Sequence, residues 1–406
     1  MHYGIIIIGA GPAGLMAARE LNQHNINFLI IDSKKGIGLP LKCGEGIREK
    51  EFIEFFKHKN YPFVKNTISI HEVHYEDLIR TFKENFLELD RPEFEKWLAK
   101  PIKNNLKLST TCQDINIKEN LAEIITNKGI LTADLVILAY GCNFNVQKGL
   151  GLVKKDQNIV LGYGGIFKNH NLDPNKFYYF FGTKYLGYLW AFPKDKKTAN
   201  IGFGAFNTNK NTKEIFKKLL KKYKINATQI SEYAGIVPCS GPIEKTYACR
   251  LLICGNAAGH VHAFSGEGIY YGLIAGQLAA KTAAKAVKQN KFNKKFLKRY
   301  EKEWKRKISK NMKAGIMEAK LLQLAFRCNK LKSLFSAPSE EELKQMMLYG
   351  RIPFRAKIAY YLSEFPAIVN IIYFIYRLLR KRGKDEKNKI SKGRGSSFQR
   401  LGMVVF

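Results

Sequence analysis

A glycine pattern at the start of the chain is typical of a dinucleotide site. Gly9, Gly11 and Gly14 follow a short apolar run, and Asp32 ends the next apolar run. The first glycine permits a tight turn, the second lets the backbone approach a pyrophosphate, and the third lets a helix pack closely on a strand. The helix N-terminus favours the anion, and the aspartate accepts hydrogen bonds from the ribose. The pattern therefore predicts a bound dinucleotide.

A second glycine-rich region, far downstream, indicates which dinucleotide binds. The chain reads Gly-Asn-Ala-Ala-Gly at 255–259 and Ser-Gly-Glu-Gly-Ile at 265–269, after the apolar run Leu251 to Cys254. A glycine-rich turn and a second helix N-terminus can present backbone N–H groups to the far end of a long cofactor. The two regions together favour FAD over NAD.

The seven cysteines form neither a zinc-binding pattern nor a disulfide framework, because their number is odd and their spacings are not those of paired ligands. His260 and His262 stand two residues apart without a third ligand at a suitable spacing, so we expect them to pack beside the cofactor. We predict no metal site. The N-terminus shows no secretion signal, which favours a reducing cytoplasmic compartment.

Apolar runs around the first motif predict the elements that position it. Tyr3 to Ile8 is typical of a strand, Ala13 to Gln23 of a helix, and Phe28 to Asp32 of a second strand. Asp134 to Ala139 and Leu251 to Cys254 are short apolar runs that favour buried parallel strands. The sequence therefore predicts a sheet assembled from distant parts of the chain.

The middle and the end of the chain have different patterns. Aromatic and β-branched residues between about 158 and 206 predict antiparallel strands of an inserted domain, and a helical, basic pattern begins near Phe292. We predict four parts: a discontinuous FAD-binding domain, a substrate-binding β-sheet domain, a helical C-terminal region and a basic flexible tail. Their boundaries are 1–150 with 245–295, 151–244, 296–382 and 383–406.

Three further stretches carry a resemblance to one family. These are Lys-Cys-Gly-Glu-Gly-Ile at 42–47, Asp-Arg-Pro-Glu-Phe-Glu at 90–95 and Tyr-Leu-Trp-Ala-Phe-Pro at 188–193. With the two glycine regions, they make residues 1–295 similar to the FAD-dependent geranylgeranyl reductases, in particular the archaeal digeranylgeranylglycerophospholipid reductases. The resemblance implies an α/β fold: a Rossmann-like FAD-binding domain of the aromatic-hydroxylase type, an inserted antiparallel β-sheet and a helical C-terminal region.

The glycine motifs and the resemblance together assign roles to individual residues. Cys43 and Tyr188 are the candidate catalytic groups that assist protonation, with a passive flavin contact as the alternative for Cys43. Tyr188, Trp190 and Phe192 would line the substrate cavity, unless this aromatic strand only packs a core. The predicted FAD contacts are Gly9, Gly11, Ala13, Gly14, Asp32, Cys43, Gly44, Gly46, Arg91, Cys112, Gly255, Asn256, Gly266, Gly268 and Ile269.

Two positions depart from the family pattern. The family usually has aspartate where Asn256 and Tyr140 stand in this chain. Asparagine can still accept a hydrogen bond from the ribityl chain, but a charge-assisted bond is roughly twice as strong as a neutral one. We therefore expect weaker FAD binding, and a protein that no longer holds flavin is the extreme alternative.

The resemblance implies a reaction in which a hydride from reduced FAD and a proton saturate a carbon–carbon double bond of a prenyl chain. The substrate would be a prenyl lipid or a prenyl diphosphate. The alternative keeps FAD and changes the reaction to that of a monooxygenase or halogenase acting on an aromatic substrate. Halogenases carry a related Trp-x-Trp-x-Ile-Pro stretch, from which Tyr188 and Phe192 differ.

The net charge of +34 predicts a surface that attracts anions, although a lysine-rich lineage composition explains it equally well. No second dinucleotide motif is present, so electrons would come from an external donor, ferredoxin or NAD(P)H. A flavoprotein bound to RNA is a further interpretation, but the sequence contains no RNA-binding motif, and we expect no nucleic acid.

The segment Ile358 to Leu379 is apolar but too short in its uncharged part to cross a bilayer. The basic residues that follow it suit a helix at an anionic membrane surface, and a core helix with a charged end is the alternative. We predict a cytoplasmic protein, with peripheral contact at the inner face of the membrane left open.

Overall fold

The computed structural model describes residues 1–142, 144–153, 158–182, 184–206, 211–349, 351 and 353. Nearly all of them belong to one compact unit, Met1–Ile352. The predicted membrane-surface segment Ile358 to Leu379 and the tail from residue 383 lie outside the described residues, and the predicted domain boundaries stay predictions.

Strands predominate up to residue 253, and helices make up most of the described chain from 269 to 349. The strands are β1 (His2–Ile8), β2 (Phe28–Ile31), β3 (Gly46–Arg48), β4 (Val64–Tyr75), β5 (Leu78–Leu89), β6 (Leu106–Lys107), β7 (Cys112–Ile117), β8 (Ala122–Thr126), β9 (Gly129–Leu138), β10 (Ile159–Lys168), β11 (Lys176–Phe181), β12 (Gly187–Pro193), β13 (Thr198–Phe206), β14 (Thr228–Gln229), β15 (Tyr233–Pro238), β16 (Tyr247–Ala248) and β17 (Leu251–Ile253). The α-helices are α1 (Pro12–Gln23), α2 (Glu49–Phe56), α3 (Arg91–Ala99), α4 (Asn145–Gly149), α5 (Thr212–Lys222), α6 (Ile269–Lys288), α7 (Lys294–Arg327), α8 (Leu331–Ser336) and α9 (Glu340–Tyr349). Two 3₁₀ helices span Lys100–Asn105 and Gly255–Ala258.

The first sheet contains the predicted N-terminal unit. Its order is β16-β17-β9-β1-β2-β6, with β7 and β8 attached beside β9. β1 runs parallel to β2 and β9, and β17 runs parallel to β9. The four isoleucines at the end of β1 are almost fully buried, as expected for a strand with elements on both faces. The predicted sheet, assembled from distant parts of the chain, is confirmed.

The second sheet is mostly antiparallel and has the order β14-β10-β13-β12-β11-β4-β5-β3, with β15 paired to β10. The aromatic region near residues 158–206 forms β10 to β13, as its pattern predicts. β4 and β5 join this sheet through the parallel pair of β11 and β4, although they precede residue 151. The α/β fold with two sheets and a helical end is therefore confirmed.

Two glycines bring the helices of the first layer into close contact. A Cβ atom on Gly14 would lie 1.8 Å from the carbonyl oxygen of Gly9, so α1 packs directly on the turn before it. A Cβ atom on Gly276 would lie 2.1 Å from the carbonyl oxygen of Ala13, so α6 packs directly on α1. No real side chain fits at such distances, and the two helices are consequently fixed against each other.

Candidate active site

A cavity of about 1230 Å³ lies where the carboxyl ends of β1, β2 and β9 meet the second sheet. This edge of a parallel sheet is where ligands of open α/β folds bind. The predicted substrate residues Tyr188, Trp190 and Phe192 line the cavity, and so do all the predicted cofactor residues except Gly14. Gly14 instead supports the turn from behind. The structure thus brings together residues that are widely separated in the sequence.

Asp32 fixes the turn at one end of the cavity. Its carboxylate accepts hydrogen bonds from the backbone N–H of Ala10 at 2.6 Å and of Lys34 at 2.8 Å. Gly11 precedes α1, and a Cβ atom there would meet no atom within 4 Å. The open space beside Gly11 and the N-terminus of α1 fits a pyrophosphate.

The N-terminus of α6 forms the opposite wall. Gly266 and Gly268 lead into the helix and line the cavity together with Ile269. The turn before it carries glycines with φ of 64°, 69° and 74° at 255, 259 and 266, where other residues are strained. The partial positive charge of a long helix at this point favours an electron-rich ligand group.

Tyr140 and Asn256 are the two residues that depart from the family pattern. Each forms a hydrogen bond with a residue close to the other. The Tyr140 hydroxyl donates to Oε1 of buried Gln147, whose Nε2 donates to the carbonyl of Ala257 at 2.9 Å. The Asn256 amide donates to the sulfur of Cys142 at 3.6 Å. Tyr140 therefore braces the turn on which Asn256 stands. Whether FAD binds more weakly for these changes stays a prediction.

Asn200 holds the loop that carries Cys43. Its Nδ2 donates to the carbonyl of Cys43 and to Oε2 of Glu45, each at 2.8 Å. Its Oδ1 lies 3.0 Å from the indole nitrogen of Trp190 and 2.7 Å from the hydroxyl of Tyr233. Asn200 is fully buried, and all the hydrogen-bonding atoms of its amide group are used in this network.

The Cys43 sulfur lies in a polar corner of the cavity. It accepts a hydrogen bond from the backbone N–H of Glu45 at 3.2 Å and lies against the guanidinium of Arg91. Arg91 is in turn held by Glu95, with 2.8 Å between Nε and Oε1. The surroundings of Cys112 are different. Its sulfur contacts a backbone carbonyl, and burial raises the pKa of its thiol to about 12.

β12 presents its aromatic side chains at every second residue, as the period of a strand requires. Tyr188 donates to the carbonyl of Ser265 at 2.5 Å, which connects the strand to the loop before α6. Phe192 stacks on Phe177 with ring centroids 4.1 Å apart. These anchors fix the aromatic wall of the cavity.

Sequence reasoning missed Asn200, Tyr233 and the far wall of the cavity. Leu322 from α7 and Met347 and Leu348 from α9 line that wall and are almost fully buried. Asn200 had a signal, since it is the one polar residue in the otherwise apolar run 199–206 of β13. The far wall had none, because its helices lie beyond the part of the chain that carries the resemblance.

His260 and His262 are completely enclosed. His260 packs edge-on against Trp304 at 4.7 Å between ring centroids, and His262 accepts the backbone N–H of Ser265 at 3.4 Å. Burial lowers the pKa of each imidazole to about 3, so both are neutral at physiological pH. Within the described part of the chain, no three His, Cys, Asp or Glu side chains cluster as metal ligands.

Comparison with known proteins identifies the family. Residues 158–240 match the geranylgeranyl reductase catalytic domain, and residues 6–160 match the pyridine nucleotide-disulphide oxidoreductase domain. A digeranylgeranylglycerophospholipid reductase of Methanocaldococcus jannaschii is 30% identical over 299 residues, which cover 67% of this chain and 75% of the relative. The chain belongs to the geranylgeranyl reductase family. It is an FAD-dependent oxidoreductase, as the sequence predicts.

Further relatives agree with this assignment. A digeranylgeranylglycerophospholipid reductase of Methanosphaera stadtmanae is 30% identical over 66% of this chain and 72% of its own length. A geranylgeranyl bacteriochlorophyll reductase-like structure from Thermoplasma acidophilum has a TM-score of 0.75 at 20% identity, covering 92% of this chain and 98% of that one. A variant of the halogenase PltM in complex with FAD shares the fold, with a TM-score of 0.62 at 15% identity over 79% of this chain and 77% of that one.

The cavity fits FAD. The open backbone at Gly11, the carboxylate of Asp32 and the N-terminus of α6 offer separate places for pyrophosphate, ribose and isoalloxazine. Lys34, Lys42 and Arg91 add positive charge to the lining. Among the described helices, none is long and apolar enough to cross a membrane.

Proposed function

We propose that this protein reduces carbon–carbon double bonds of geranylgeranyl-type prenyl chains in isoprenoid lipids or their precursors. The observation that carries this proposal is the continuity of the cavity, which joins the dinucleotide cradle to an aromatic and aliphatic chamber. The relatives named digeranylgeranylglycerophospholipid reductase support it. The likeness to halogenases concerns the fold alone and does not favour the oxygen-dependent alternative.

In this proposal the cofactor contacts predicted from the sequence hold FAD across the cavity, with Asp32 on the ribose and α6 on the flavin. When bound, FAD supplies the hydride. Arg91 and the loop from Cys43 to Gly46 border the place where the two ends of the cavity meet.

The chamber suits a hydrocarbon chain. Its apolar walls include Val160, Phe181, Phe264, Leu322 and Met347. Each methylene group that leaves water for such walls contributes about 0.8 kcal/mol to binding. Tyr188, Trp190 and Phe192 would hold the chain in place and exclude water from it.

Cys43 and Tyr188 are the cavity groups proposed to contact the alkene during protonation. The N–H of Glu45 and the guanidinium of Arg91 hold the Cys43 sulfur at the cavity wall, where it can meet the substrate. Tyr188 shapes the chamber, because its hydroxyl proton is directed at the carbonyl of Ser265.

The external reductant is ferredoxin or NAD(P)H, and the substrate is a prenyl lipid or prenyl diphosphate. A net charge of +34 would steer an acidic carrier protein toward this surface. The rate of reduction by ferredoxin should then fall as salt is added. A rate that is independent of salt would exclude electrostatic docking.

An absorbance experiment tests the proposed reaction. Purified protein is reduced anaerobically with dithionite, and a geranylgeranyl lipid is then added without oxygen. Flavin bands that bleach and return with the lipid, together with a saturated product in the mass spectrum, are expected. Bands that return only when oxygen is admitted would instead indicate a monooxygenase or halogenase, and a colourless protein would mean that FAD is not retained.

A further inference from the structure

A group of buried acids lies beside the cavity and has no part in the sites described so far. Nη2 of Arg48, which is 1% exposed, lies 2.5 Å from Oε1 of Glu51 and 3.2 Å from Oε2 of Glu267. Glu318 on α7 is near the same group and is also 1% exposed. Two carboxyl groups therefore share one buried arginine, and a third, that of Glu318, lies near Glu267.

The charge count of this group requires bound protons. One guanidinium balances one carboxylate, so full ionisation of Glu51 and Glu267 alone would leave a buried net negative charge. Burial raises the pKa of both carboxyl groups despite the attraction of Arg48. Burial and the nearby Glu267 also raise the pKa of Glu318, whose two oxygens have no hydrogen-bond partner among the described residues. The acids together hold protons at neutral pH.

Glu267 is the acid that reaches the cavity. It lines the cavity wall, and 22% of its side chain is accessible from there. Glu51 and Glu318 lie behind it and do not line the cavity. A carboxylate formed at Glu267 remains next to the guanidinium of Arg48, which stabilises it.

The other groups around Glu267 are poorer sources of a proton. Burial raises the pKa of Tyr188, and its hydroxyl already donates to the carbonyl of Ser265. His262 is neutral and accepts the N–H of Ser265 on Nδ1, so its remaining N–H faces Glu318 at 3.6 Å. The charged and titratable side chains whose electrostatics involve Glu267 are Arg48, Glu51, Tyr179, Tyr188, Tyr271 and Glu318.

We propose that Glu267 stores the proton that each reduction consumes, an inference that rests on the proposed function. Saturation of an alkene adds a hydride to one carbon and a proton to the other. The S–H bond of Cys43 or the O–H bond of Tyr188 breaks as a C–H bond forms at the second carbon. The proton of Glu267 then restores that S–H or O–H bond as the O–H bond of Glu267 breaks. The Glu267 carboxylate stays paired with Arg48 until a proton from solvent restores the acid. The apolar walls of the cavity hinder the entry of a proton from solvent during the reaction. A proton already stored at Glu267 does not have to cross them.

Infrared spectroscopy tests whether Glu267 carries a proton in the resting protein, with no reaction taking place. A difference spectrum of the purified full chain, wild type minus Glu267→Gln, is recorded at pH 7.5. We expect the carbonyl stretch of a protonated carboxylic acid in the wild type and its loss in the variant. An unchanged band would overturn the proposal, and a band lost instead in Glu318→Gln would assign the proton to Glu318.

Single-turnover kinetics test the role of the stored proton. After anaerobic reduction, Glu267→Gln should slow reoxidation by the prenyl substrate about 100-fold or more, with unchanged FAD affinity. In Glu51→Gln, Arg48 has Glu267 as its one remaining carboxylate partner and stabilises that carboxylate more strongly. Glu267 should then lose its proton at lower pH, and the pH profile of reoxidation should shift to lower pH. Glu54→Gln, on an exposed turn of the same helix, is the matched control and should behave as wild type.

The outcomes separate the two proposals. A wild type that does not reduce prenyl chains would refute the proposed function, while the infrared result would still report the proton on Glu267. Full-rate reoxidation in Glu267→Gln, or an unshifted pH profile in Glu51→Gln, would refute the store and leave the proposed function intact.

Discussion

The two ends of the cavity differ in the chemical groups that line them: backbone groups at one end and side chains at the other. At the end predicted to hold FAD, the proposed binding groups are backbone N–H groups at the starts of α1 and α6, which glycines expose. At the substrate end they are side chains from separate strands and helices, joined through Asn200 and Arg48. Every residue except proline supplies a backbone N–H, whereas a side-chain network needs every partner. Substitutions that add side-chain atoms should therefore be most harmful at the FAD end. Substitutions that remove side-chain atoms should be most harmful at the substrate end.

The largest effect should come from adding atoms at the FAD end. Gly14→Val places a Cβ atom 1.8 Å from the carbonyl of Gly9, which requires the turn and α1 to separate. We expect a loss of more than about 4 kcal/mol in the free energy of unfolding, or no soluble protein. Urea denaturation and flavin absorbance measure it.

Two other glycine variants sharpen this result. Gly11→Ala meets no atom within 4 Å but extends into the cavity, so it should keep the stability and weaken FAD binding about tenfold or more. Gly149→Ala, also without neighbours within 4 Å and away from the cavity, is the control. Equal FAD affinities in the three proteins would contradict a backbone-built site.

Removing atoms should matter most at Asn200. The variant Asn200→Ala leaves the indole N–H of Trp190 without its partner and removes one hydrogen bond each from the Cys43 carbonyl and Glu45, and a lost buried partner costs about 1 to 3 kcal/mol. We expect a loss of about 3 kcal/mol in unfolding free energy. Asn175→Ala, in an exposed turn, is the control and should stay within about 0.5 kcal/mol of wild type. Comparable values for the two variants would show that Asn200 does not organise the loop.

Glu318→Gln should stabilise the protein, and more so at higher pH. Burial raises the pKa of Glu318 well above its usual value, so the folded state keeps a proton that the unfolded state loses. Stability from this group is therefore present below about pH 4.5 and is lost as the pH rises toward the folded pKa, by up to about 1.4 kcal/mol per pH unit. Thermal unfolding at pH 5 and 8 should give curves that diverge. Parallel curves would mean that Glu318 is ionised in the folded protein.

His260→Phe should act at the opposite end of the pH scale and have the smallest effect. The folded imidazole stays neutral down to about pH 3, whereas the unfolded one takes up a proton below about pH 6.5. Wild-type stability therefore falls as pH decreases through this interval. In unfolding experiments, the stability of the variant should fall less than that of the wild type between pH 6.5 and 5, by about 1.6 kcal/mol. An identical slope would show that His260 is protonated in the fold.

The same contrast explains what could be predicted from the sequence. β1, β2 and β17 were predictable because each is a short apolar run, and α1 because it follows a glycine turn. The FAD end followed from that local pattern and from the family resemblance. Asn200 and Glu267 were not assigned, because their roles depend on partners far away in the sequence, Cys43 and Arg48 respectively.

The close packing of α1 and α6 has a consequence for which flavin the protein can hold. Since Gly276 rests on the backbone of Ala13, the two helix starts cannot slide past each other, and the interval between them is constant. The starts of α1 and α6 therefore set a fixed distance that a bound ligand has to match. In the proposed binding mode a phosphate lies at the start of α1 and the isoalloxazine at the start of α6, so this packing selects a flavin whose ribityl chain matches the fixed interval.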